Sequence, residues 1–226
     1  MMDSYASQLD ALARKGNLRK LPEMEPQGLY LVRDGQEMLN LSSNDYLGLA
    51  DNVALKSEFL QTLDPLECRF SSTSSRLLTG NYPVYTRLEE RLAQLYGAES
   101  ALVFNSGYHA NSGILPAVTD SRSLILADKL VHASIVDGIG LSKARCIRYR
   151  HNNYEQLERL VAENAGEYDR LFVVTESIFS MDGDESDLPR LVALKHRYPN
   201  LYLYLDEAHA FGVRGPHGLG CAEEYG

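Results

Sequence analysis

Polar residues follow short apolar runs at three places in this 226-residue chain. The run ALVF precedes Asn105–Tyr108, the run LFVVT precedes Glu176–Ser180, and the run LYLYL precedes Asp206–His209. In an open α/β sheet, ligands bind outside the carboxyl ends of the strands. If these runs are strands, their carboxylates, imidazole and hydroxyls meet along one edge, where they could bind a charged ligand.

The segment FNSGYHANSG has the composition of a phosphate-binding turn. A strand would end before Ser106 and Gly107, and a helix would begin near Tyr108. Free backbone amides at a helix N-terminus bind phosphate groups. An ordinary strand–helix turn with a serine cap explains the same residues. The segment has neither the GxGxxG pattern nor the P-loop pattern of nucleotide sites.

Residues Asp206–His209 read DEAH, a tetrapeptide found in nucleic-acid-dependent ATPases. In such an enzyme the two acids would hold magnesium, and a P-loop lysine would be required elsewhere. No glycine in the chain is followed by lysine, which excludes this interpretation. Asp206 then caps the next segment, is exposed to solvent, binds a metal or faces a cation.

The histidines outside the DEAH segment indicate a function less clearly. His132, in DKLVHASI, follows another apolar run and begins a helical pattern, so it is either structural or catalytic. We predict that His151, His196 and His217 are surface residues. HExxH and CxxC spacings do not occur, and the acidic run DGDESD has the composition of a turn rather than a calcium loop. We therefore predict no metal site.

The composition is that of a globular protein without a nucleic-acid partner. Hydrophobic residues make up 44%, and the formal net charge is −9, whereas binding to phosphate backbones needs clustered Lys and Arg. Cys68, Cys146 and Cys221 form neither a disulfide framework nor a CxxC pair, which favours a reducing cytosol. The sequence shows no signal peptide or membrane-spanning run, so we predict a cytoplasmic protein with no membrane partner.

Predicted helices and strands alternate after a distinct N-terminal part. That part has a helix over Ser4–Arg14 and a hairpin over residues 28–42 around Asp34-Gly35. Strands are predicted at ALVF, SLILA, CIRY, LFVVTE and LYLYLD, and helices over Pro83–Tyr96, Ala133–Lys143, Tyr154–Asn164 and Leu188–Arg197. This alternation predicts an α/β domain with a mainly parallel sheet over residues 46–226, after an extension of residues 1–45.

Six segments resemble, in this order, motifs of one enzyme family. They are SSNDYLGL, SSRLLTGN, LEERLAQLYGAESALVFNSGYHAN, DKLVHASI, TESIFSMDGD and DEAHAFGVRGPHGLG. Their order is similar to that of the α-oxoamine synthases, which are pyridoxal-phosphate (PLP) enzymes of the aspartate-aminotransferase fold, fold type I. The resemblance extends from about Leu18 to Gly220. It implies a PLP-binding large domain.

The resemblance also implies a role for each candidate residue. Ser106, Gly107 and Tyr108 would bind the cofactor phosphate, the last two through backbone amides. His132 would cover the face of the pyridine ring and contact substrate. Asp206 would keep the ring nitrogen protonated, which makes the ring an electron sink. Further implied site residues are His209 and Ser180 at the phenolic oxygen, Glu176 as a supporting neighbour, and Arg19 and Asn44 at the substrate. The implied catalytic residues are His132, Asp206 and His209.

Within the family, the RLLTGN segment is most similar to the branch that condenses L-alanine with a pimeloyl thioester in biotin synthesis. The implied reaction is a decarboxylative condensation in which coenzyme A or a carrier-protein thiol leaves. The family also implies a homodimer. The alternatives are a branch that joins glycine to acetyl-CoA, a branch that uses serine, and a non-catalytic module that pairs with a homologue.

Three features depart from the family's pattern. Arg69–Arg76 reads RFSSTSSR where relatives often carry glycines, and Tyr85 lies near a position where relatives often carry histidine. Family members form a Schiff base with a lysine some tens of residues after the DEAH segment, in a Thr/Ser-x-x-Lys context. None of the six lysines here has that context. We therefore expect an inactive fragment that lacks the Schiff-base lysine and the C-terminal small domain.

Overall fold

The computed structural model describes residues 4–225, and the chain divides into two compact units, Met1–Phe59 and Leu60–Gly226. The predicted parts 1–45 and 46–226 include residues 1–3 and 226, which lie outside the described residues. Within residues 4–225, no helix is both long enough and apolar enough to cross a membrane.

The first unit contains a helix and a small antiparallel sheet. Its elements are α1 (Tyr5–Arg14), β1 (Glu25–Gln27), β2 (Tyr30–Arg33), β3 (Gln36–Leu39) and the start of α2 (Val53–Thr62). The turn between β2 and β3 places Asp34 at φ +52° and Gly35 at φ +76°. Both values suit the tight turn of a hairpin, so the Asp-Gly prediction is confirmed. β1 pairs with β2 as an additional strand.

The second unit contains a parallel sheet covered by helices. Its elements after α2 are α3 (Pro83–Tyr96), α4 (Gly107–Val118), β4 (Ser123–Asp128), α5 (Ala133–Leu141), β5 (Arg145–Tyr149), α6 (Tyr154–Asn164), β6 (Arg170–Glu176), α7 (Leu188–Arg197), β7 (Leu201–Asp206) and α8 (Cys221–Tyr225). The strand order is β5-β4-β6-β7, and each neighbouring pair is parallel. The predicted α/β fold with a mainly parallel sheet is confirmed.

Alternate residues of each strand pack on opposite faces of this sheet. Leu124 and Leu126 of β4 belong to a buried cluster with α6 and α7. Ile125 and Ala127 of the same strand belong to a second cluster with α4 and α5. Because helices cover both faces, β4 is buried at every position, and its four central residues are the continuous apolar run of an interior parallel strand.

The run ALVF, residues 101–104, is not a strand, so that prediction is wrong. Side chains hold its backbone instead. Val103 N–H donates to Glu89 Oε1 at 2.8 Å, and Arg76 Nη1 donates to the Val103 carbonyl oxygen at 3.1 Å. Arg76 and Glu89 are themselves joined by two hydrogen bonds of 2.7 and 2.9 Å. An extended segment becomes a strand only when another strand pairs with it, and none within residues 4–225 does so here.

Candidate active site

Three carboxylates lie at the carboxyl edge of the parallel sheet. Asp128 ends β4, Glu176 ends β6 and Asp206 ends β7. Glu176 and Asp206 are direct partners in the register of β6 and β7. The structure therefore brings together two predicted residues that are thirty positions apart, and it adds Asp128, which sequence reasoning did not select. This edge is where an open α/β sheet binds its ligand.

The turn before α4 presents exposed backbone at a helix N-terminus. Ser106 caps the helix, because its Oγ accepts a hydrogen bond from the His109 N–H at 3.2 Å. Gly107 is the first helical residue, and the position of a Cβ there has no atom within 4 Å. The hydroxyl of Tyr108 donates to Asp137 on α5, which raises the pKa of the phenol. The open space before the helix suits a phosphate group.

Asp206 is held by hydrogen bonds to both of its carboxylate oxygens. Asn111 Nδ2, on α4, donates to Oδ2 at 2.8 Å, and the Ala208 N–H donates to Oδ1 at 2.9 Å. The hydroxyl of Tyr204 donates to Asn111 Oδ1 at 2.6 Å, which fixes the direction of the buried amide. Sequence reasoning missed Asn111. Its place one helical turn after Gly107 is a signal that could have indicated it.

His132 caps α5 and is linked to Asp206 by a chain of hydrogen bonds. Its Nδ1 accepts from the Ser134 N–H at 3.2 Å and lies 2.7 Å from Ser134 Oγ. Asn111 Nδ2 donates to the same Oγ at 2.9 Å. The hydroxyl proton of Ser134 then points to His132 Nδ1, so a neutral imidazole carries its proton on Nε2. The orientations of the ring and of the carboxylate are thereby coupled.

Glu176 contacts the backbone of His132 immediately before the start of α5. Its Oε1 accepts a hydrogen bond from the His132 backbone N–H at 2.5 Å. Burial raises the pKa of Glu176 to about 7, with further contributions from the Asp206 and Asp128 carboxylates, while the hydrogen bond from His132 opposes the shift. The side chain therefore changes protonation near neutral pH beside the candidate site.

The other predicted residues lie in turns and in the first unit. Ser180 is exposed in the turn after β6, and His209 is half-buried in the turn after β7. Arg19 and Asn44 are exposed residues of the first unit, and Asn44 Oδ1 accepts from the Tyr46 hydroxyl at 3.3 Å. The contacts of these residues with cofactor or substrate stay predictions.

Glu207, the second acid of the DEAH segment, stabilises the fold. Its carboxylate accepts from the backbone N–H groups of Cys221 and Ala222, each at 2.8 Å, at the start of α8. A Cβ at Gly220, whose φ is +102°, would lie 2.0 Å from Glu207 Oε2, so only glycine leaves room for this carboxylate. The two acids therefore have separate roles, unlike a magnesium-binding pair.

His151 is half-buried with both ring nitrogens hydrogen-bonded, so its prediction as a surface residue is wrong. Nδ1 lies 2.9 Å from Asp128 Oδ1, and Nε2 lies 2.6 Å from Asp184 Oδ2. His151 reaches Asp128 because β5, which it follows, is the neighbour of β4 in the sheet. His196 and His217 are exposed, as predicted. Across the part of the chain that the structure describes, no cluster of His, Cys, Asp and Glu is arranged to hold a metal ion.

Residues 36–223 match the protein family described as aminotransferase class I and II, and this match covers well over half of the chain. The chain belongs to this family. The matched residues include the parallel sheet, the turn before α4 and the DEAH segment.

Relatives of known name are similar to this aminotransferase-family chain over nearly its whole length. A protein of Haemophilus influenzae strain Rd, provisionally named 8-amino-7-oxononanoate synthase, is 59% identical over 222 residues, which cover 98% of this chain and 58% of the relative. A protein of Neisseria meningitidis serogroup C with the same provisional name is 57% identical with the same coverage. The chain spans somewhat more than half the length of these relatives.

Solved structures give the same fold. Serine palmitoyltransferase of Sphingomonas wittichii has a TM-score of 0.84 at 30% identity, over 99% of this chain and 57% of that one. A serine palmitoyltransferase from S. paucimobilis with a bound PLP–myriocin aldimine has a TM-score of 0.83 at 28% identity, over 99% and 56%. 8-Amino-7-oxononanoate synthase from Francisella tularensis has a TM-score of 0.64 at 30% identity, over 81% and 49%.

These relatives confirm the resemblance to the α-oxoamine synthases and the assignment to fold type I, and they support PLP as the cofactor. The residues present fit that group. The N-terminus of α4 suits its phosphate, the fixed carboxylate of Asp206 suits a protonated ring nitrogen, and the imidazole of His132 suits the face of an aromatic ring.

Proposed function

We propose that this chain forms the PLP-binding part of an enzyme that condenses L-alanine with a pimeloyl thioester to give 8-amino-7-oxononanoate. The names of the Haemophilus and Neisseria relatives support this reaction. The observation that carries the proposal is the hydrogen-bonded chain from His132 through Ser134 and Asn111 to Asp206. These hydrogen bonds hold in place His132 and Asp206, the two side chains that a PLP ring would contact.

Each group at the strand edge has its own task in this proposal. The backbone amides of Gly107 and Tyr108, behind Ser106, bind the cofactor phosphate. Asp206 keeps a proton on the ring nitrogen, and the bound cofactor then supplies an electron sink for charge at the amino-acid α-carbon. His132 covers one face of the ring and contacts the substrate.

The remaining residues orient groups or contact substrate. Glu176 positions His132, because its carboxylate accepts a hydrogen bond from the His132 backbone N–H. His209 would hydrogen-bond the phenolic oxygen of the cofactor, and Ser180 would lie near the same oxygen. Arg19 and Asn44 contact the substrates, as the family's pattern implies.

We further propose that the 226-residue chain does not catalyse condensation by itself. Its lysines are Lys15, Lys20, Lys56, Lys129, Lys143 and Lys195. Within residues 4–225, the hydrogen bonds of His132, Glu176 and Asp206 involve no lysine. In this proposal, no lysine of the chain holds the cofactor covalently or accepts the α-proton of the amino acid.

Titration of the purified chain with PLP, followed by absorbance, tests the cofactor site. We expect saturable binding that is weakened at least about tenfold by Asp206→Asn, because loss of one charged partner typically costs more than about 1.4 kcal/mol. Equal affinity of the two proteins, or no saturable binding at all, would overturn the cofactor site. Borohydride treatment and mass spectrometry should find no single lysine modified, and product formed from alanine and pimeloyl-CoA would contradict the proposed inactivity.

A second branch of the family is a candidate because serine palmitoyltransferase structures match 99% of the chain. Serine, or glycine with acetyl-CoA, would then replace alanine, and a third candidate is a non-catalytic module that pairs with a homologue. Turnover of the protein as its gene encodes it, with alanine, glycine and serine and each of pimeloyl-CoA, acetyl-CoA and palmitoyl-CoA, separates these branches. We expect the highest kcat/KM with alanine and pimeloyl-CoA, and a higher value for another pair would reject this branch.

We also propose a homodimer located in the cytoplasm, as the family's pattern implies. Size-exclusion chromatography with light scattering should give twice the chain mass of 25.3 kDa. A mass that stays at one chain over a tenfold range of concentration would contradict the dimer.

A further inference from the structure

His151 lies between two carboxylates that come from distant parts of the chain. Its Nδ1 is 2.9 Å from Asp128 Oδ1, and its Nε2 is 2.6 Å from Asp184 Oδ2. A carboxylate oxygen accepts hydrogen bonds, and a neutral imidazole has only one N–H to donate. Both short contacts are therefore satisfied together when the ring carries a proton on each nitrogen, as an imidazolium.

The surroundings of the ring strengthen these contacts. The Asp128 side chain is fully buried, the His151 side chain is only 25% exposed, and the ring meets Phe179 edge-on with centroids 4.5 Å apart. Burial by itself lowers the pKa of His151. The hydrogen bonds and charges of Asp128 and Asp184 outweigh that effect, so the pKa of the imidazole lies above its usual value.

Asn152, the next residue, also forms hydrogen bonds with both Asp128 and Asp184. Asn152 has a left-handed backbone with φ +48°, and its N–H donates to Asp128 Oδ2 at 2.9 Å. Its Nδ2 donates to Asp184 Oδ2 at 2.8 Å. His151 and Asn152 together therefore join the end of β4 to Asp184.

Asp184 closes the turn that follows β6. The N–H of Phe179 donates to the Asp184 carbonyl, and the N–H of Gly183 donates to the Phe179 carbonyl, each at 2.9 Å. Ser180 lies inside this turn, which we call the Ser180 turn (residues 179–184). The turn is thus linked to the sheet edge by the charged contact of Asp184 with His151 and by the hydrogen bond from Asn152 Nδ2 to the same carboxylate.

We propose that His151 is a positioning residue, which as an imidazolium holds the Ser180 turn against the carboxyl end of β4 and which releases the turn when it loses its proton. Protonated, the ring donates to both carboxylates. Deprotonated, one ring nitrogen becomes an acceptor facing a carboxylate oxygen, and the two repel each other. The consequence for Ser180 at the cofactor rests on the proposed function, whereas the release of the turn does not.

Other titratable groups around this contact come from several elements. Glu176 of β6 interacts with the charges of His151 and Asp128, and its own pKa is raised to about 7. Tyr149 of β5 and Tyr154 of α6 lie near Asp128, and burial raises the pKa of both phenols, so they stay neutral up to pH 9. Glu185, beside the turn, is paired with Arg214. Glu176 is therefore the group that must be separated from His151 in the test.

Amide hydrogen exchange of the full chain, between pH 6 and pH 9 and corrected for intrinsic rates, measures the release. We expect protection at Phe179 and Gly183 to fall with the same midpoint as the NMR titration of the His151 ring. Asp184→Asn keeps an oxygen acceptor but removes one charge, so this midpoint should move down by about one pH unit or more. His151→Gln should show low protection at every pH, and His196→Gln, at an exposed histidine on α7, should match the parent chain.

Constant protection of the turn across the titration of His151 would overturn the proposal, as would an unmoved midpoint in Asp184→Asn. If His151→Gln fails to fold, the Asp184→Asn midpoint decides. In Glu176→Gln, the amide protection of Phe179 and Gly183 should still fall with pH. If the protection of this variant does not change with pH, the effect belongs to Glu176 and the role of His151 is overturned. Absence of PLP binding with a pH-dependent turn would reject the proposed function alone.

Discussion

Asn111 Nδ2 donates a 2.8 Å hydrogen bond to Asp206 Oδ2, across 95 positions of sequence. The same nitrogen donates to Ser134, and the amide oxygen accepts from Tyr204, so both N–H donors and the oxygen of this buried amide have partners. α4 thus delivers both the N-terminal amides proposed for the phosphate and the donor that orients the carboxylate proposed for the ring nitrogen.

Asn111→Asp should weaken PLP binding in a pH-dependent way. The substitution keeps the shape of the side chain but places a second carboxylate beside Asp206, where two like charges are unfavourable. We expect at least a tenfold loss of affinity at pH 8 and a smaller loss in more acidic solution, because a proton shared between two carboxylates removes their repulsion. Asn164→Asp, at another buried amide on α6, is the control. An affinity loss that is equal at pH 8 and in more acidic solution would contradict this account.

Two substitutions of His132 should distinguish its role as a helix cap from its proposed contact with the cofactor ring. His132→Asn keeps a side-chain acceptor for the Ser134 N–H, so the free energy of unfolding should stay near that of the parent chain. His132→Ala removes the cap and should cost about 1 kcal/mol in urea denaturation. PLP affinity should fall in both variants. Parent-like affinity in His132→Asn would show that the imidazole does not meet the cofactor.

Gly107→Ala should affect phosphate binding without affecting stability. An added Cβ meets no atom within 4 Å, so the fold can accept it, but it occupies the space before α4. We expect about a tenfold loss of PLP affinity, roughly 1.4 kcal/mol, and no change for pyridoxal, which lacks the phosphate. Gly140→Ala, at another helical glycine with open space, should bind both compounds normally. Equal losses for PLP and pyridoxal would refute a phosphate contact.

Glu176 should make stability depend on pH near neutrality. Its pKa of about 7 is above that of an unfolded chain, so the native state holds the proton more tightly. Its contribution is complete below about pH 4.5 and is lost as pH rises through 7, by at most about 3.5 kcal/mol at roughly 1.4 kcal/mol per pKa unit. Urea denaturation from pH 5 to pH 8 should show a flatter profile in Glu176→Gln than in Glu163→Gln, an exposed control. Parallel profiles would count against the raised pKa.

Sequence patterns predicted those strands of the sheet whose apolar residues are also buried in the folded chain. LFVVTE and SLILA are mainly apolar because helices cover both faces of β6 and β4. The same criterion failed for ALVF. A strand needs a partner strand, and the backbone of Val103 is instead satisfied by Arg76 and Glu89, which local hydrophobicity does not reveal.

Histidine roles show a similar division. His132 was identifiable because it follows a strand and begins a helix, and its capping of α5 depends on neighbours two positions away. His151 sits in the polar stretch RYRHNN, which is typical of a surface turn. Its partners Asp128 and Asp184 are 23 and 33 positions away, and only the parallel pairing of β4 with β5 brings the first of them into reach.

The sequence by itself determined the α/β alternation, the hairpin turn at Asp34-Gly35 and the family, because these depend on residue type and short spacing. Tertiary structure decided which side chains meet at the carboxyl edge, because strand order sets the neighbours there and burial sets their charge. It placed Glu176 beside Asp206, brought Asn111 to the same carboxylate, and turned Glu207 of the DEAH segment to the backbone of α8. Hydrogen bonds between residues far apart in sequence have no local pattern, and so only the folded chain shows them.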